Sequence, residues 1–230
     1  MSSSPAEPGA RDPRELSAED AVDVDLIPPR VVLPKVRRAL AFGLAVTVLI
    51  GLVTAVLAGP LWGTAVLIAG AAPGVGGYLG VARRRVSLDH RVLTRRTLRT
   101  VRVNLMDAEE VDLVAEVAKL AQVSLRLRQG RTTVRLPIAL YDAPGRGRVR
   151  GRELPMLGTR RLAEALERNR RPEVGDIARV LAEQARAQST STPMRDRPLF
   201  RAAGIARELG GGEELVFSAD EVEEIARPFW

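Results

Sequence analysis

ALAFGLAVTVLIGLVTAVLAGPLWGTAVLIAGAAPGVGGYLGVA, Ala39 to Ala82, is a run of 44 residues without a charged side chain. A hydrocarbon core about 30 Å thick needs roughly 20 helical residues to cross it. Ala39–Ala58 supplies 20 and Leu61–Ala82 supplies 22. Between them stands Gly59-Pro60. Glycine can close a helix, and proline can open the next because the first turn has no use for its missing N–H. Trp62 follows, with the amphipathic ring favoured at headgroup level. The stretch AGPLWG, Ala58–Gly63, therefore reads as the tight turn of a two-helix membrane hairpin. A cleaved signal peptide has a shorter apolar core and no second span directly behind it. A helix pair in a soluble protein needs a polar face, which this run lacks.

The flanks orient the hairpin. Lys35, Arg37 and Arg38 precede the first span, Arg83, Arg84 and Arg85 follow the second, and the turn has no charge. Cytoplasmic flanks carry the excess of Lys and Arg. Both chain ends are thus expected in the cytoplasm and the turn outside, in the inner membrane of a bacterial-type cell. The same six side chains are the candidates for contact with anionic lipid headgroups. Small residues recur at helical spacing: Gly43, Thr47, Gly51 and Ala55 in the first span, Gly70 and Gly74, then Gly76 and Gly80, in the second. Such stripes let helix backbones approach closely in lipid. They serve packing of the two spans on each other or a homodimer face, and the first use is preferred. Pro73 is expected to kink the second span. Neither span carries an ionisable group of the kind that marks a transport path, so the hairpin reads as an anchor.

Outward from the hairpin, charge is segregated. Residues 1–30 hold three Arg against seven acids, residues 83–171 hold 22 basic side chains against 10 acids, and residues 172–230 hold seven against 11. A basic middle between acidic ends attracts anionic lipid or nucleic acid, and the ends can compete for it. Cysteine is absent, which excludes disulfides, Cys-ligated zinc, iron–sulfur clusters and thiol catalysis. Residues 1–34 read as a disordered acidic tail rich in Ser and Pro.

From Val86 the texture becomes that of strands. VSLDHRVLTRRT, VRVNL, EVDLVAEV and VSLRLRQGRTTVRLPI alternate apolar and polar residues with period two. Asp89-His90 and Gln129-Gly130 read as turns. LVAEVAKLAQV also fits a helix. Tyr141–Pro155 is a loop by its Gly and Pro content, with Arg146, Arg148, Arg150 and Arg152 along it. Thr159 is placed as the cap of a helix carrying Leu162, Ala163 and Leu166 and ending near Asn169.

About six short strands followed by one helix, directly behind a membrane hairpin, resemble the bacterial pleckstrin-homology-like domain. The matching pieces are VSLDHRVLTRRT as opening strand pair, NLMDAEEVDLV as acidic link, VSLRLRQGRTTVRLPI as late hairpin and TRRLAEALERN as closing helix. The resemblance spans about residues 83–170. It implies a bent antiparallel sheet closed by a C-terminal helix, an α+β adaptor domain held at the cytoplasmic side of the membrane. Eukaryotic relatives of that fold often bind phosphoinositide headgroups.

The expected organisation is a tail over 1–34, the hairpin over 35–85, the basic domain over 86–171, an amphipathic helix over 172–188 and a flexible tail with short helices over 189–230. In that tail Ser218 and Glu221 have the spacing of a capping box, and Phe229-Trp230 offer an anchor for a partner groove or the basic domain. No catalytic residue, metal ligand or cofactor site stands out. GVGGYLG, Gly74–Gly80, lies inside a span and lacks the dinucleotide-binding spacing. His90 is the one histidine and sits in a turn, and Asp107, Glu109, Glu110 and Asp112 read as a solvated acidic turn. The basic domain has one aromatic, Tyr141, so it serves base stacking poorly and nucleic acid is a disfavoured partner. The functional expectation is a non-enzymatic membrane adaptor for anionic lipid headgroups or a protein partner. The alternatives are a membrane-bound nucleic-acid-binding or regulatory protein, and an accessory subunit of a transport or secretion complex.

Overall fold

Helix α1, Pro29–Ala58, and helix α2, Pro60–Ala82, meet at Gly59 in a computed structural model that describes residues 22–97, 99–142, 150–209 and 214–227. Gly59 takes φ 96°, which a side chain would resist, and its N–H donates to Ala55 O at 3.1 Å. Val32–Ala58 and Pro60–Ala82 are each long and apolar enough to cross a membrane. Three hydroxyls within them fold back on their own helix: Thr47 donates to Gly43 O, Thr54 to Ile50 O and Thr64 to Pro60 O. Those donors ask nothing of a surrounding solvent. Helix α1 starts ten residues before the uncharged run, because the turn from Leu33 to Arg38 stays helical after it becomes polar. Hydropathy delimits the apolar span, not the helix. Pro34 and Pro73 both lie inside their helices.

The chain divides into two units. One holds Asp25–Val86, the hairpin and its flanks, with Thr94–Arg102, and the other holds the remaining described residues. Strands β1 (Val22–Asp23), β2 (Arg85–Asp89), β3 (Val92–Arg96) and β4 (Thr100–Asn104) form a sheet in chain order. Val22 pairs with Leu88 and Asp23 with Ser87, antiparallel. The expected turn between β2 and β3 is present, with His90 at φ 47°.

The second sheet has the order β8-β7-β6-β5-β9, from β5 (Glu110–Val117), β6 (Leu120–Gln129), β7 (Thr132–Asp142), β8 (Gly151–Glu153) and β9 (Glu214–Val216). LVAEVAKLAQV is thus strand and turn rather than helix, since Val and alternating burial favour the pleat. Gly130 turns the β6–β7 hairpin at φ 57°. The register slips between Val123 and Ser124, where Ser124 faces Pro137. A bulge is where proline, lacking a ladder donor, is tolerated in a sheet. Leu113, Leu125, Leu127 and Leu136 are buried in this sheet, each worth about 1.5–3 kcal/mol of hydrophobic stabilisation.

Behind the sheets come α3 (Met156–Glu167), α4 (Pro172–Ser189), α5 (Pro198–Glu208) and α6 (Ala219–Ala226), with a 3-10 turn at Met194–Asp196. Helix α3 packs on α4, α4 on α5 and α6, and α5 on β5 and β6. Ser218 makes the expected capping box: its N–H donates to Glu221 Oε2 at 2.8 Å and its Oγ accepts from Glu221 N–H.

Four expectations are corrected. Thr159 does not cap α3, which begins three residues earlier behind Pro155; its hydroxyl lies within the first turns and donates to Pro155 O and Leu154 O. The amphipathic helix expected over 172–188 is α4, but the segment after it, expected as a flexible tail with short helices, is packed. Val174, Ile177, Leu181, Leu199, Ala202, Phe217, Val222 and Ile225 are buried, and β9 extends the sheet beside β5. Residues 22–34 are not a disordered tail, since Val24 and Leu26 are buried and β1 is paired. Part of the expected loop is strand: β7 runs through Asp142, and Gly151–Glu153 returns as β8 against it. Residues 1–21, Arg146, Arg148, Phe229 and Trp230 lie outside the described residues.

Candidate functional site

The hairpin has a defined seam. A Cβ placed on Gly63 would stand 2.5 Å from the Ala55 Cβ and 2.8 Å from the Gly51 carbonyl oxygen. One on Gly51 would meet Leu67 at 2.6 Å, one on Gly70 would meet Thr47 Cγ2 at 2.6 Å, and one on Gly74 would meet Leu40 at 2.9 Å. Thr47, Gly51, Ala55, Gly70 and Gly74 thus belong to the contact between the two helices. Gly43 does not: nothing lies within 4 Å of its Cβ position, and the same holds for Gly76 and Gly80. The residue at the closest approach, Gly63, was not among the sequence candidates. Its place four residues from both Gly59 and Leu67 was the available clue.

Of the six candidate cations around the hairpin, Lys35, Arg37, Arg38, Arg83 and Arg85 are exposed and have no side-chain partner among the described residues. Arg84 differs. It is half-buried and points at the buried Asp25 carboxylate, Nη2 to Oδ1 3.9 Å. Arg37 and Arg38, with Leu33, Pro34, Ala41 and Tyr78, line an open groove of about 530 Å3 along the hairpin.

Many arginines of the sheet unit are already satisfied. Arg126 donates to Asp112 at 2.9 Å and reaches Glu214 at 3.4 Å, while Arg135 bonds Glu116 at 3.3 Å and also Glu214. Arg128 holds Glu110 at 3.2 Å. The hydrogen bond to Asp112 holds the Arg126 guanidinium above its usual range. This face is therefore a ladder of opposite charges across β5, β6, β7 and β9, not a bare basic surface. It also absorbs two of the four carboxylates read as a solvated turn. The other two remain beside Glu110, Asp112, Glu173 and Phe217 or at the Asn104–Asp107 turn, and the cleft against Phe217 has a volume of about 590 Å3.

A second network is buried. The Tyr141 hydroxyl donates to Glu153 Oε1 at 2.7 Å, and Glu153 Oε2 accepts from Arg197 Nη1 at 2.5 Å and Gln188 Nε2 at 3.2 Å. Arg197 Nε donates to Thr192 O at 2.8 Å. The Tyr141 ring meets Phe200 edge-on, centroids 5.2 Å apart. Burial, then the Glu153 charge, pushes the Tyr141 hydroxyl well above the usual phenol range. Burial also lowers Arg201, which donates to Ile225 O, and Arg207, which donates to Asp142 O. Glu153–Arg197 and Arg207–Asp142 clamp the C-terminal segment to the sheet, and Arg201 ties α5 to α6.

Arg91, Arg95, Arg96, Arg99, Arg102, Arg150, Arg152, Arg168, Arg170 and Arg171 have no side-chain partner among the described residues. Among those residues no three His, Asp or Glu side chains converge to hold a metal ion. No family model, curated protein or solved structure matches the chain.

Proposed function

We propose that the protein is a membrane-anchored adaptor: α1 and α2 form an anchoring hairpin in the inner membrane, and the sheet unit works at its cytoplasmic side on anionic lipid headgroups or a protein partner. The observation that carries this reading is the outward apolar surface of the hairpin. Val56 is 85 %, Leu57 81 % and Leu61 80 % exposed, on a scale that soluble monomers do not leave open to water. Lipid accommodates the same surface, because away from Pro73 the two spans satisfy their backbone groups internally. Unpartnered cations gather in the first turns of α1, ahead of the uncharged run, and after α2, the arrangement that retains both flanks on the cytoplasmic side. The sheet unit is read as pleckstrin-homology-like from its antiparallel strands and the helix α3 that follows β8, a fold whose eukaryotic relatives often bind headgroups.

Absence of cysteine makes the test clean. Leu61→Cys is expected to react with a membrane-impermeant maleimide on intact cells, whereas Lys119→Cys, at the exposed β5–β6 turn, reacts only after permeabilisation. The chain is also expected to stay in the pellet through an alkaline carbonate wash. Release by that wash, or labelling of both positions alike, rejects the reading.

A further inference from the structure

A recess of about 250 Å3 opens where the β2–β3 turn meets the polar side of α3. Its walls are His90, Arg91, Arg161, Glu164, Ala165 and Arg168. Three guanidiniums and an imidazole thus share the space with one carboxylate. That carboxylate is engaged already: Glu164 Oε1 accepts from Arg160 at 2.9 Å, and Arg161 stands 3.7 Å from Oε2. The Arg91 and Arg168 side chains have no partner among the described residues. His90 leans toward Asp89, 4.0 Å away.

The frame beneath these side chains is fixed. Leu105 N–H donates to Arg91 O at 2.9 Å, which ties the turn to the link after β4. Asn169 Nδ2 then donates to Leu105 O at 2.8 Å and to Ala108 O at 3.3 Å, which ties the end of α3 to that link. Leu88, Leu105 and Leu166 are buried below. Turn and helix end are therefore held together by one continuous chain of bonds, and the two unpartnered arginines are presented from it at fixed backbone positions. Cations near the last turn of α3 also complement the negative end of the helix. That accounts for Arg168, but not for Arg91, which comes from another element.

Guanidinium groups match tetrahedral oxyanions by paired, charge-assisted hydrogen bonds. No Phe, Tyr or Trp lines the recess, so it serves base stacking poorly. We infer that this recess is an anion site for a phosphate monoester, the group carried by an acidic lipid headgroup and by a small soluble phosphate compound alike. The site goes beyond the anchor reading; only the source of the phosphate is linked to it.

The test uses the full chain in an uncharged detergent, so that it reads the recess whether or not the carbonate and labelling experiments uphold the anchor. Phenyl phosphate and dihexanoyl phosphatidic acid are titrated at constant ionic strength, with binding followed by phosphorus NMR. Arg91→Gln with Arg168→Gln is expected to raise both dissociation constants by about tenfold or more, since two charge-assisted partners are lost. Arg95→Gln with Arg99→Gln removes equal charge elsewhere and is expected to leave them unchanged. Arg168→Gln alone, at an exposed helix end, carries the test if the double variant loses its circular dichroism. Tighter binding of the lipid than of phenyl phosphate assigns a headgroup, and equal binding assigns a soluble phosphate; both uphold the site. Absence of saturable binding to the unaltered chain, or equal weakening by the two double variants, overturns it.

Discussion

Arg197→Ala is expected to destabilise the sheet unit by about 3–5 kcal/mol, because removing one member of a buried ion pair strands the other charge. The Glu153 side chain is only 5 % exposed, and Arg197 is its charged partner at 2.5 Å. Tyr141 and Gln188 still donate to the carboxylate in the variant, but neither neutralises it. The loss falls where α5 begins, one residue after Arg197. Hydrogen exchange should therefore speed up first over Pro198–Glu208, and the urea midpoint of the full chain in detergent should fall. Glu153→Gln in the Arg197→Ala background is expected to recover part of the loss, since an amide is cheaper to bury than a lone charge. A loss below about 1 kcal/mol would mean that the pair behaves as a solvated surface bridge, and the clamp would not exist.

Gly63→Leu is expected to force the two hairpin helices apart. A Cβ alone would sit 2.5 Å from Ala55 Cβ and 2.8 Å from a backbone oxygen of α1, and backbone cannot swing aside as a side-chain tip can. Overpacking of this kind costs about 1–3 kcal/mol. The reporter is a cysteine pair at Thr47 and Gly70, where the Cβ position of Gly70 lies 3.5 Å from Thr47 Cβ, within reach of a disulfide. In an otherwise unaltered chain, mild oxidation should close this pair within one molecule. Adding Gly63→Leu should lower the ratio of closed to open pairs about tenfold, which corresponds to about 1.4 kcal/mol, within that energy range. Gly43→Leu, by contrast, should leave it unchanged, because nothing stands near that Cβ. Equal closure with and without Gly63→Leu would show that the seam runs along another face.

How much of this was legible depended on the range of the interaction. The helices of the hairpin, the turns at His90 and Gly130, the β6–β7 hairpin and the Ser218 box rest on local chemistry: an uncharged run, a residue at positive φ, period-two alternation, a hydroxyl three residues from a carboxylate. All were readable from short stretches. The tail after residue 188 was misread because its acidity and its Gly and Pro breaks resemble a linker. What holds it is Arg197 to Glu153, 44 positions apart, and Glu214 to Arg126, 88 apart, pairings that no local pattern announces. Charge counting erred for the same reason. It found a basic middle, yet β9 carries Glu214 onto that face and neutralises part of it. The two unpartnered cations of the recess, Arg91 and Arg168, come from different elements, and only the i, i+4 pair Arg160–Glu164 hinted at an organised helix face.

The β1–β2 pairing has a topological consequence. Because Val22 faces Leu88 and Asp23 faces Ser87, the chain leaves the sheet and comes back to a spot one strand spacing away. Everything from Val24 to Val86 is then a cassette inserted into what would otherwise be an ordinary β-ribbon. Swapping the cassette for a short Asn-Gly bend, the connection that two-residue ribbons favour, should release a water-soluble protein whose circular dichroism retains the sheet signal. Precipitation of that excised form would reveal that the oily insert, rather than strand pairing, keeps the ribbon's two edges together.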